Sequence, residues 1–571
     1  MKERVLLQGV VSEVLFPNKG TLIPTEDQPS PSEADSSAGI LYVEPKKPYG
    51  PLAIKNVLPG QTWLVSTHKN GRRSHEARPM RLLRRAPYEV PPLCPHAALC
   101  GGCCYQTVPY PLQLSFKQQQ VQKLLAPVPG IAEANWLPIQ PSPLTALYRN
   151  KMEFSFGDSE KGGPLTLGQH RRGAFHDIIS VPQCRLVHPD MRRILAETES
   201  FFRASGLPYY STHTHTGVLR HLVVRRSFAT GDLLLNLVTT SGIAGKEALL
   251  TAFTEKLLSL PLGGRIGGIL HTLNDSPADT VQADALQVLY GEPSLTESLL
   301  GLSFKIFPFS FFQTNTLGAE RLYQIVRDMA GDVSNQTVFD LYSGTGTIAQ
   351  IMAAAGAATV TGIEIVEEAV QAARENAAQN GLKNCHFIAG DVLAYVDTLT
   401  QAPDLIVLDP PRDGIHPKAL PKILAFAPER FIYVSCKPTS LVRDLPAFVD
   451  AGYCIETIRC CDMFPMTGHV ETVVLLSKLN TKQHVEVELN LDELDLTAAE
   501  SKATYKEIKA YVLEHTGLKV SHLYIAQVKQ KYGIIERENY NKPKSESSRQ
   551  PKCPPEKEAA ITEALKLFRM I

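Results

Sequence analysis

Between Thr337 and Ser435 the sequence alternates short apolar strands with helical segments, and this alternation constrains the fold more than any other feature. The apolar runs lie at residues 338–341, 359–363, 405–409 and 431–435. Continuous apolar strands separated by helices are typical of a mostly parallel sheet with helices on both faces. Ligands of such sheets bind at the carboxyl ends of the strands. We therefore predict an α/β domain with a Rossmann-like sheet, and we expect its site where the strands end.

The first of these strands runs into a glycine turn, Asp340–Gly346, which opens a helix. Glycines let a ligand approach the backbone at such a turn, and the amides at the helix end face the ligand. Glu364 ends the next strand, about twenty residues on, where a carboxylate can accept both ribose hydroxyls. A Walker lysine and a second phosphate-binding loop are missing from the sequence around this turn. The pattern therefore favours a cofactor with a nucleoside but no pyrophosphate, which describes S-adenosylmethionine.

Three later segments carry side chains suited to attack on a pyrimidine carbon. Asp409–Arg412 ends one strand, and its two prolines stiffen the backbone into a wall for a flat ring. Cys436 ends the next strand, where we expect the cation of Lys437 and the turn amides to favour the thiolate. A thiolate that adds to pyrimidine C6 makes an enolate at C5, which can take a methyl group from a sulfonium. Glu471 precedes a final strand and is the expected base for the C5 proton.

Four of the 11 cysteines have the spacing of a metal site. Cys94, Cys100 and Cys103 lie close together in the sequence with two glycines among them, and Cys184 offers a fourth thiolate. Four-cysteine sites hold either tetrahedral zinc or an iron–sulfur cluster, and spacing alone does not separate the two. The glycines allow close approach of a bulky group and favour the cluster.

Length and composition predict several domains in a cytoplasmic protein. A chain of 571 residues is too long for one hydrophobic core. No apolar run is long enough to cross a bilayer, and no signal peptide precedes the first strand pattern. Basic and acidic residues number 58 each, so a nucleic-acid partner would have to bind local basic stripes such as Arg81–Arg85.

The patterns divide the chain into four predicted parts. Residues 1–90 have short strand patterns and turns, which predict a small barrel of the oligonucleotide-binding type. Residues 91–312 read as a mixed α+β domain, residues 313–480 as the Rossmann-like domain, and residues 481–571 as an appended module without visible chemistry. Within these parts we expect a disordered loop at Pro24–Ala38 and helices at residues 489–500 and 505–515.

Taken in order, these motifs resemble the S-adenosylmethionine-dependent RNA uracil-C5 methyltransferases, and specifically the iron–sulfur subgroup that modifies 23S ribosomal RNA. The resemblance runs from the barrel to about Lys478. It implies a class I methyltransferase fold, an N-terminal RNA-binding TRAM domain and a central iron–sulfur domain. It also implies these [4Fe-4S] ligands: Cys94, Cys100, Cys103 and Cys184.

The same resemblance assigns the site residues. Cys436 is the expected nucleophile and Glu471 the expected base. The segment Phe311–Asn315 resembles the one whose glutamine contacts the cofactor. The predicted cofactor residues are Gln313, Tyr342, Gly344, Gly346, Glu364, Asp391 and Asp409.

Three features depart from the family pattern. Lys437 stands where asparagine is usual, Gly468 stands where a bulkier residue is common, and the module after Lys478 lies outside the family core. On this reading Tyr148–Lys151 and His170–Arg172 line an RNA groove, although the same residues could be ordinary solvated charge.

Alternative functions stay open at this point. A transfer-RNA uracil methyltransferase shares the nucleophile, the base and the cofactor turn. A non-catalytic iron–sulfur RNA-binding protein would not need Cys436 and Glu471, and a DNA cytosine-C5 enzyme places its cysteine differently in the fold. We expect RNA as the partner, with 23S ribosomal RNA favoured, and a monomer without an obligate protein partner.

Overall fold

The computed structural model describes residues 2–25, 40–42, 49–68, 76–278, 283–395, 402–479, 505–532 and 553–568. It divides into two units, Met1–Asn480 and Thr481–Ile571. The predicted loop Pro24–Ala38 and the predicted helix at residues 489–500 lie largely or wholly outside the described residues. Among the helices that are described, none is long and apolar enough to cross a membrane.

The N-terminal region is a closed five-stranded barrel. The described residues of this region form six strands: β1 (Lys2–Leu15), β2 (Lys19–Pro24), β3 (Ile40–Tyr42), β4 (Leu52–Lys55), β5 (Thr62–His68) and β6 (Glu76–Arg84). Pairing follows the ring β1–β2–β4–β6–β5 and returns to β1, while the short β3 pairs beside β1. Alternate apolar side chains such as Val5, Leu22 and Val65 fill the interior. The predicted barrel is confirmed.

The central region is a mixed sheet with helices. Its elements are α1 (Tyr110–Leu125), β7 (Asn135–Gln140), β8 (Lys151–Asp158), β9 (Leu165–Arg171), β10 (Ala174–Ser180), α2 (Pro189–Ser205), β11 (Leu219–Arg226), β12 (Leu233–Thr239), α3 (Glu247–Leu258), β13 (Ile266–Leu273), β14 (Ala285–Gly291), β15 (Leu295–Leu299) and β16 (Leu302–Ile306). Seven strands form a sheet in the order β10–β9–β8–β11–β12–β13–β14. Phe202 of α2 and Phe253 of α3 pack together in its core.

The α/β sheet follows. Its elements are α4 (Thr316–Ala330), β17 (Thr337–Leu341), α5 (Thr347–Ala354), β18 (Thr359–Glu364), α6 (Glu367–Gln379), β19 (Cys385–Ala389), α7 (Val392–Tyr395), β20 (Leu405–Leu408), α8 (Ala419–Ala425), β21 (Arg430–Ser435), α9 (Thr439–Asp450), β22 (Tyr453–Cys461) and β23 (Glu471–Lys478). The strand order is β19–β18–β17–β20–β21–β23–β22–β7. The first five strands are parallel, and β23 is antiparallel to both of its neighbours. The predicted doubly wound sheet is confirmed.

Helix α1 and strand β7 complete this sheet from a distant part of the chain. β7 pairs in parallel with the edge strand β22. Val121 and Leu125 of α1 belong to the same apolar core as Phe448 of α9. Residues from the region between the barrel and the seven-stranded sheet therefore support one edge of the α/β domain.

The C-terminal unit contains three helices, α10 (Tyr505–Thr516), α11 (His522–Lys531) and α12 (Pro555–Leu567). Apolar side chains such as Val512, Ile525 and Ile561 pack in a core of their own. α11 begins after Ser521, whose hydroxyl accepts a hydrogen bond from the Tyr524 amide, as expected of an N-cap serine. The predicted helix at residues 505–515 is confirmed.

Candidate active site

A cavity of about 1560 Å³ opens where the strands of the α/β sheet end. It brings together side chains from segments far apart in the sequence. The predicted site residues that line it are Gln313, Tyr342, Gly344, Glu364, Asp409, Cys436 and Glu471. Gly346 and Asp391 are not among its lining residues; Gly346 lies between Thr345 and Thr347, which are, and Asp391 lies close enough to Tyr342 for its charge to act there.

The glycine turn presents its backbone to the cavity in an unusual conformation. Tyr342, Gly344 and Gly346 have φ values of 67°, 54° and 72°, which is the left-handed region that L side chains rarely adopt. A Cβ added at Gly346 would lie 2.5 Å from Phe387, whereas a Cβ added at Gly344 would meet nothing within 4 Å. Gly346 is therefore needed for packing, and Gly344 leaves open space in the cavity.

Glu364 is held in place by backbone amides. Its Oε2 accepts a hydrogen bond from the Gly344 amide at 3.0 Å, and its Oε1 accepts one from the Val366 amide at 3.0 Å. Asp391 caps the next helical turn, since its Oδ1 accepts from the Leu393 amide at 3.0 Å. Burial, with a smaller contribution from the Asp391 charge, raises the pKa of Tyr342 to about 12. Asp391 thus lies beside the cavity rather than in it.

Three carboxyl groups line the cavity, and of these Asp340 and Glu471 are buried whereas Asp409 is half-buried. Burial raises the pKa of Asp409 to about 7. Burial and the charge of Asp409 together raise the pKa of Asp340 and that of Glu471 to about 8 each, while Arg412 lowers the pKa of Glu471 in part. Such groups hold protons near neutral pH and are suited to proton transfer. Asp340 was not predicted as a site residue, although its place before the glycine turn was a signal.

Cys436 lies beside these carboxyl groups. Burial, together with the charges of Glu471 and Asp409, raises the pKa of its thiol to about 11, and Arg412 opposes this rise. Lys437 does not favour the thiolate as expected, because its Nζ is directed to Asp413 at 3.8 Å. The cation that acts on the thiol is Arg412, which follows β20, the strand that pairs with β21.

The four predicted metal ligands lie near one another. Burial raises the pKa of Cys103 to about 12, with contributions from the charges of Cys184 and Cys100. Burial raises the pKa of Cys184 to about 11, and Cys94 and Cys100 contribute to that rise. Within the described residues, no group of three or more His, Cys, Asp or Glu side chains is arranged to hold a single metal ion.

The Arg172 side chain braces the cysteine segment. Its guanidinium donates hydrogen bonds to the carbonyl oxygens of Ala97 at 3.0 Å and of Cys103 at 2.5 Å, and at longer range to that of Cys100. This role could not be seen in the sequence, because it depends on where β9 ends relative to the cysteines.

The other predicted groove residues also have internal partners. The buried Tyr148 donates its hydroxyl to the Pro465 carbonyl at 3.0 Å. Asn150 donates to the Gln313 carbonyl at 3.0 Å. Arg149 lines the cavity. The groove prediction is thus wrong for Tyr148, which is buried, and it stays a prediction for the other residues.

Comparison with known proteins identifies the family. Residues 332–456 match the family model described as a methyltransferase domain. An uncharacterized RNA methyltransferase of Clostridium tetani is 47% identical over 445 residues, which cover 78% of this chain and 96% of the relative. Another, of Caldanaerobacter subterraneus, is 46% identical over 440 residues, or 77% of this chain and 96% of the relative. The chain belongs to the S-adenosylmethionine-dependent RNA methyltransferases.

A solved structure shows that the fold of this RNA methyltransferase is shared. The Pyrococcus abyssi tRNA (uracil-54, C5)-methyltransferase, solved with S-adenosyl-L-homocysteine, superposes with a TM-score of 0.61. It is 23% identical, and the match covers 82% of this chain and all of that one. The predicted class I methyltransferase fold is confirmed, and so is the prediction of an S-adenosylmethionine-dependent RNA methyltransferase.

Proposed function

We propose that this RNA methyltransferase transfers a methyl group from S-adenosylmethionine to C5 of a uridine in 23S ribosomal RNA, giving 5-methyluridine. One observation carries the proposal. A thiol, Cys436, and a buried carboxyl group, Glu471, face the same cavity as the glycine turn and lie close enough for the charge of Glu471 to raise the pKa of the thiol. A nucleophile and a base beside a methyl donor are what C5 methylation requires.

The cofactor end of the cavity fits the nucleoside part of S-adenosylmethionine. Gly344 leaves room for a ligand against the backbone. The Glu364 carboxylate is fixed by two amides and keeps lone pairs for the ribose hydroxyls. Ile365 lines the cavity and is 67% exposed, which provides an apolar surface for the adenine ring. When bound, the cofactor supplies the methyl group.

In the proposed reaction the residues of the chain form and break one bond, between sulfur and C6, and they take up two protons, from the thiol and from C5. The Cys436 thiol first gives its proton to a neighbouring carboxylate, because its raised pKa keeps it protonated at rest. The sulfur then bonds to C6 of the uracil, and the electron pair of the C5–C6 bond becomes available at C5. After methylation the Glu471 carboxylate removes the C5 proton, the double bond reforms, and the bond between sulfur and C6 breaks.

We propose that Cys94, Cys100, Cys103 and Cys184 hold a [4Fe-4S] cluster, with zinc as the alternative. Thiolates are the ligands both groups prefer. The mutual proximity of the four thiols, braced by Arg172, supports a shared ligand. Iron and acid-labile sulfide measured in the anaerobically purified protein would decide, since zinc without sulfide contradicts the cluster.

RNA binding is proposed for the barrel. Arg78, Arg81 and Arg84 of β6 are exposed on one strand, where guanidinium groups can contact successive phosphates. The target uracil must leave its stack to reach Cys436, so a loop or a flipped base is expected.

The deciding experiment is incubation with labelled S-adenosylmethionine and either unmodified 23S ribosomal RNA or bulk transfer RNA, followed by nucleoside mass spectrometry. We expect 5-methyluridine in the ribosomal RNA. If 5-methyluridine formed in the transfer RNA instead, the enzyme would be a transfer-RNA uracil methyltransferase. A protein that gives no product and forms no covalent adduct with 5-fluorouridine RNA would be a non-catalytic RNA-binding protein, and the proposal would be abandoned.

A further inference from the structure

The connection between β22 and β23, residues 462–470, carries the catalytic side of the cavity. We call it the 462–470 loop. Its Phe464 and His469 line the cavity, and their rings lie 6.2 Å apart in an edge-to-face contact. The loop ends at Glu471, which pairs with Cys461 across the two strands. The position of the proposed base therefore depends on how this loop is held.

A buried lysine from helix α1 holds the start of the loop. The Lys117 side chain is fully buried, and its Nζ lies 2.6 Å from Asp462 Oδ1. The same Nζ donates to the Phe464 carbonyl at 3.0 Å, and Asp462 Oδ1 accepts from the Phe464 amide at 3.1 Å. Lysine is almost never fully buried unless it is paired. One ammonium group thus fixes both a side chain and the backbone of the loop.

Neighbouring side chains hold the middle of the loop in the same way. Gln113 lies one turn before Lys117 on α1, and its Oε1 accepts from the Met466 amide at 2.8 Å. Met466 has a φ of 68°, a strained conformation for a side chain that is not glycine. Asn315 donates to the Met463 carbonyl at 2.8 Å. Contacts from residues outside the α/β sheet therefore fix the backbone conformation of the loop at several points.

We propose that Lys117 is a positioning residue, which through Asp462 and Phe464 sets the 462–470 loop so that Glu471 can reach the C5 proton. The inference rests on the proposed function, since it concerns the last chemical step of that reaction. The glycine turn and Glu364 lie on other elements, so cofactor binding is independent of the lysine. An exposed cation could not take this role, because the geometry of the ion pair is fixed by its burial in the interior.

The test compares Lys117→Met with Lys123→Met. Lys123 is on the same helix but is exposed and pairs with Glu13 on the barrel, so it is a matched control. We expect Lys117→Met to slow release of methylated RNA by about 100-fold and to accumulate the methylated covalent adduct. Its affinity for S-adenosylmethionine should equal that of the wild type. Lys123→Met should behave as the wild type in all three measurements.

Hydrogen exchange gives a readout that does not depend on catalysis. In Lys117→Met the amides of residues 462–471 should exchange about tenfold faster or more, while those of residues 340–346 keep their protection. If the wild-type protein formed no adduct with uridine RNA, the proposed function would be wrong. Faster exchange confined to the loop in Lys117→Met would still support the role of Lys117. Unchanged exchange, or normal release of product, would overturn it.

A second variant covers the case in which Lys117→Met does not fold. In Lys117→Met with Asp462→Leu no charge is left unpaired in the interior, which often restores stability. We expect this double variant to bind S-adenosylmethionine normally and still to accumulate adduct. If product release returned to the wild-type rate, the Lys117–Asp462 ion pair would contribute only to packing, and the proposal would fail.

Discussion

The two sides of the cavity are built by different means. On the cofactor side the backbone forms the surface. Tyr342, Gly344 and Gly346 take left-handed conformations within five residues, and Glu364 is fixed by two amides. A ligand there is recognised by the shape of the turn and by one carboxylate.

On the catalytic side, buried side chains form the surface. Asp409, Glu471 and Cys436 all have a raised pKa, first because of burial. Burial stabilises the neutral form of each group at a pH where it would ionise in solution. Substitutions that alter the backbone should therefore affect the cofactor side, and substitutions that change a charge should affect the catalytic side.

Removing the thiol is the strongest test of this separation. Cys436→Ala should abolish methylation, because no other group would bond to C6 of the uracil. The affinity for S-adenosylmethionine, measured by calorimetry, should stay within about threefold of the wild type, since the thiol is not part of the turn. Clear residual turnover in the variant would remove Cys436 from the proposed mechanism.

Neutralising the base should stop the reaction one step later. Glu471→Gln keeps the shape of the side chain but cannot take the C5 proton, so turnover should fall by about 10²–10⁴-fold. Methylated RNA should remain attached to the protein and be visible as a shifted band in denaturing electrophoresis. Glu456→Gln, at an exposed position on the neighbouring strand β22, is the control. Normal turnover without a trapped adduct would assign the proton to another group.

The sequence predicted the parts of this site that depend on local pattern. Strand ends can be read from apolar runs, so Glu364, Cys436 and Glu471 could be placed at one edge of the sheet before the structure was known. The glycine turn could be recognised for the same reason. The closed barrel followed from short strands and turn residues.

Residues whose role depends on packing between distant segments could not be predicted. Lys117 and Asp462 are 345 positions apart and meet because α1 packs against the α/β sheet. Arg172 was assigned to an RNA groove, since its charge was visible and its carbonyl partners were not. The Lys437 cation was expected to favour the Cys436 thiolate because the two residues are adjacent in the sequence. Adjacent side chains at a strand end point in different directions, however, and Lys437 is directed to Asp413.

Two glycine substitutions separate packing from ligand space on the cofactor side. Gly346→Ala would bring a methyl group against Phe387, so the free energy of unfolding should fall by about 2–5 kcal/mol from strain and overpacking. Gly344→Ala meets no protein atom, so it should lose roughly 1–2 kcal/mol and mainly weaken cofactor binding. Denaturant unfolding and calorimetry measure the two effects. An equal loss of stability in both variants would contradict the distinction.

A last expected effect is a pH dependence of stability from Asp340, which begins the glycine turn. The pKa of Asp340 is raised to about 8 by burial, so from about pH 4 to about pH 8 the folded protein keeps a proton that the unfolded chain has released. Folding then becomes less favourable as pH rises through this window. Asp340→Asn removes one such proton, so its melting temperature should fall less steeply between about pH 5 and about pH 8 than that of the wild type.

Asp332→Asn is the control for this slope, because Asp332 is exposed and its pKa is lowered by hydrogen bonds from Ser334. A lowered pKa in the folded state adds stability above the unfolded pKa, so this carboxylate changes nothing between about pH 5 and about pH 8. The control should keep the wild-type slope. If Asp340→Asn kept it too, Asp340 would be ionised in the folded protein over this range, and burial would not raise its pKa as expected.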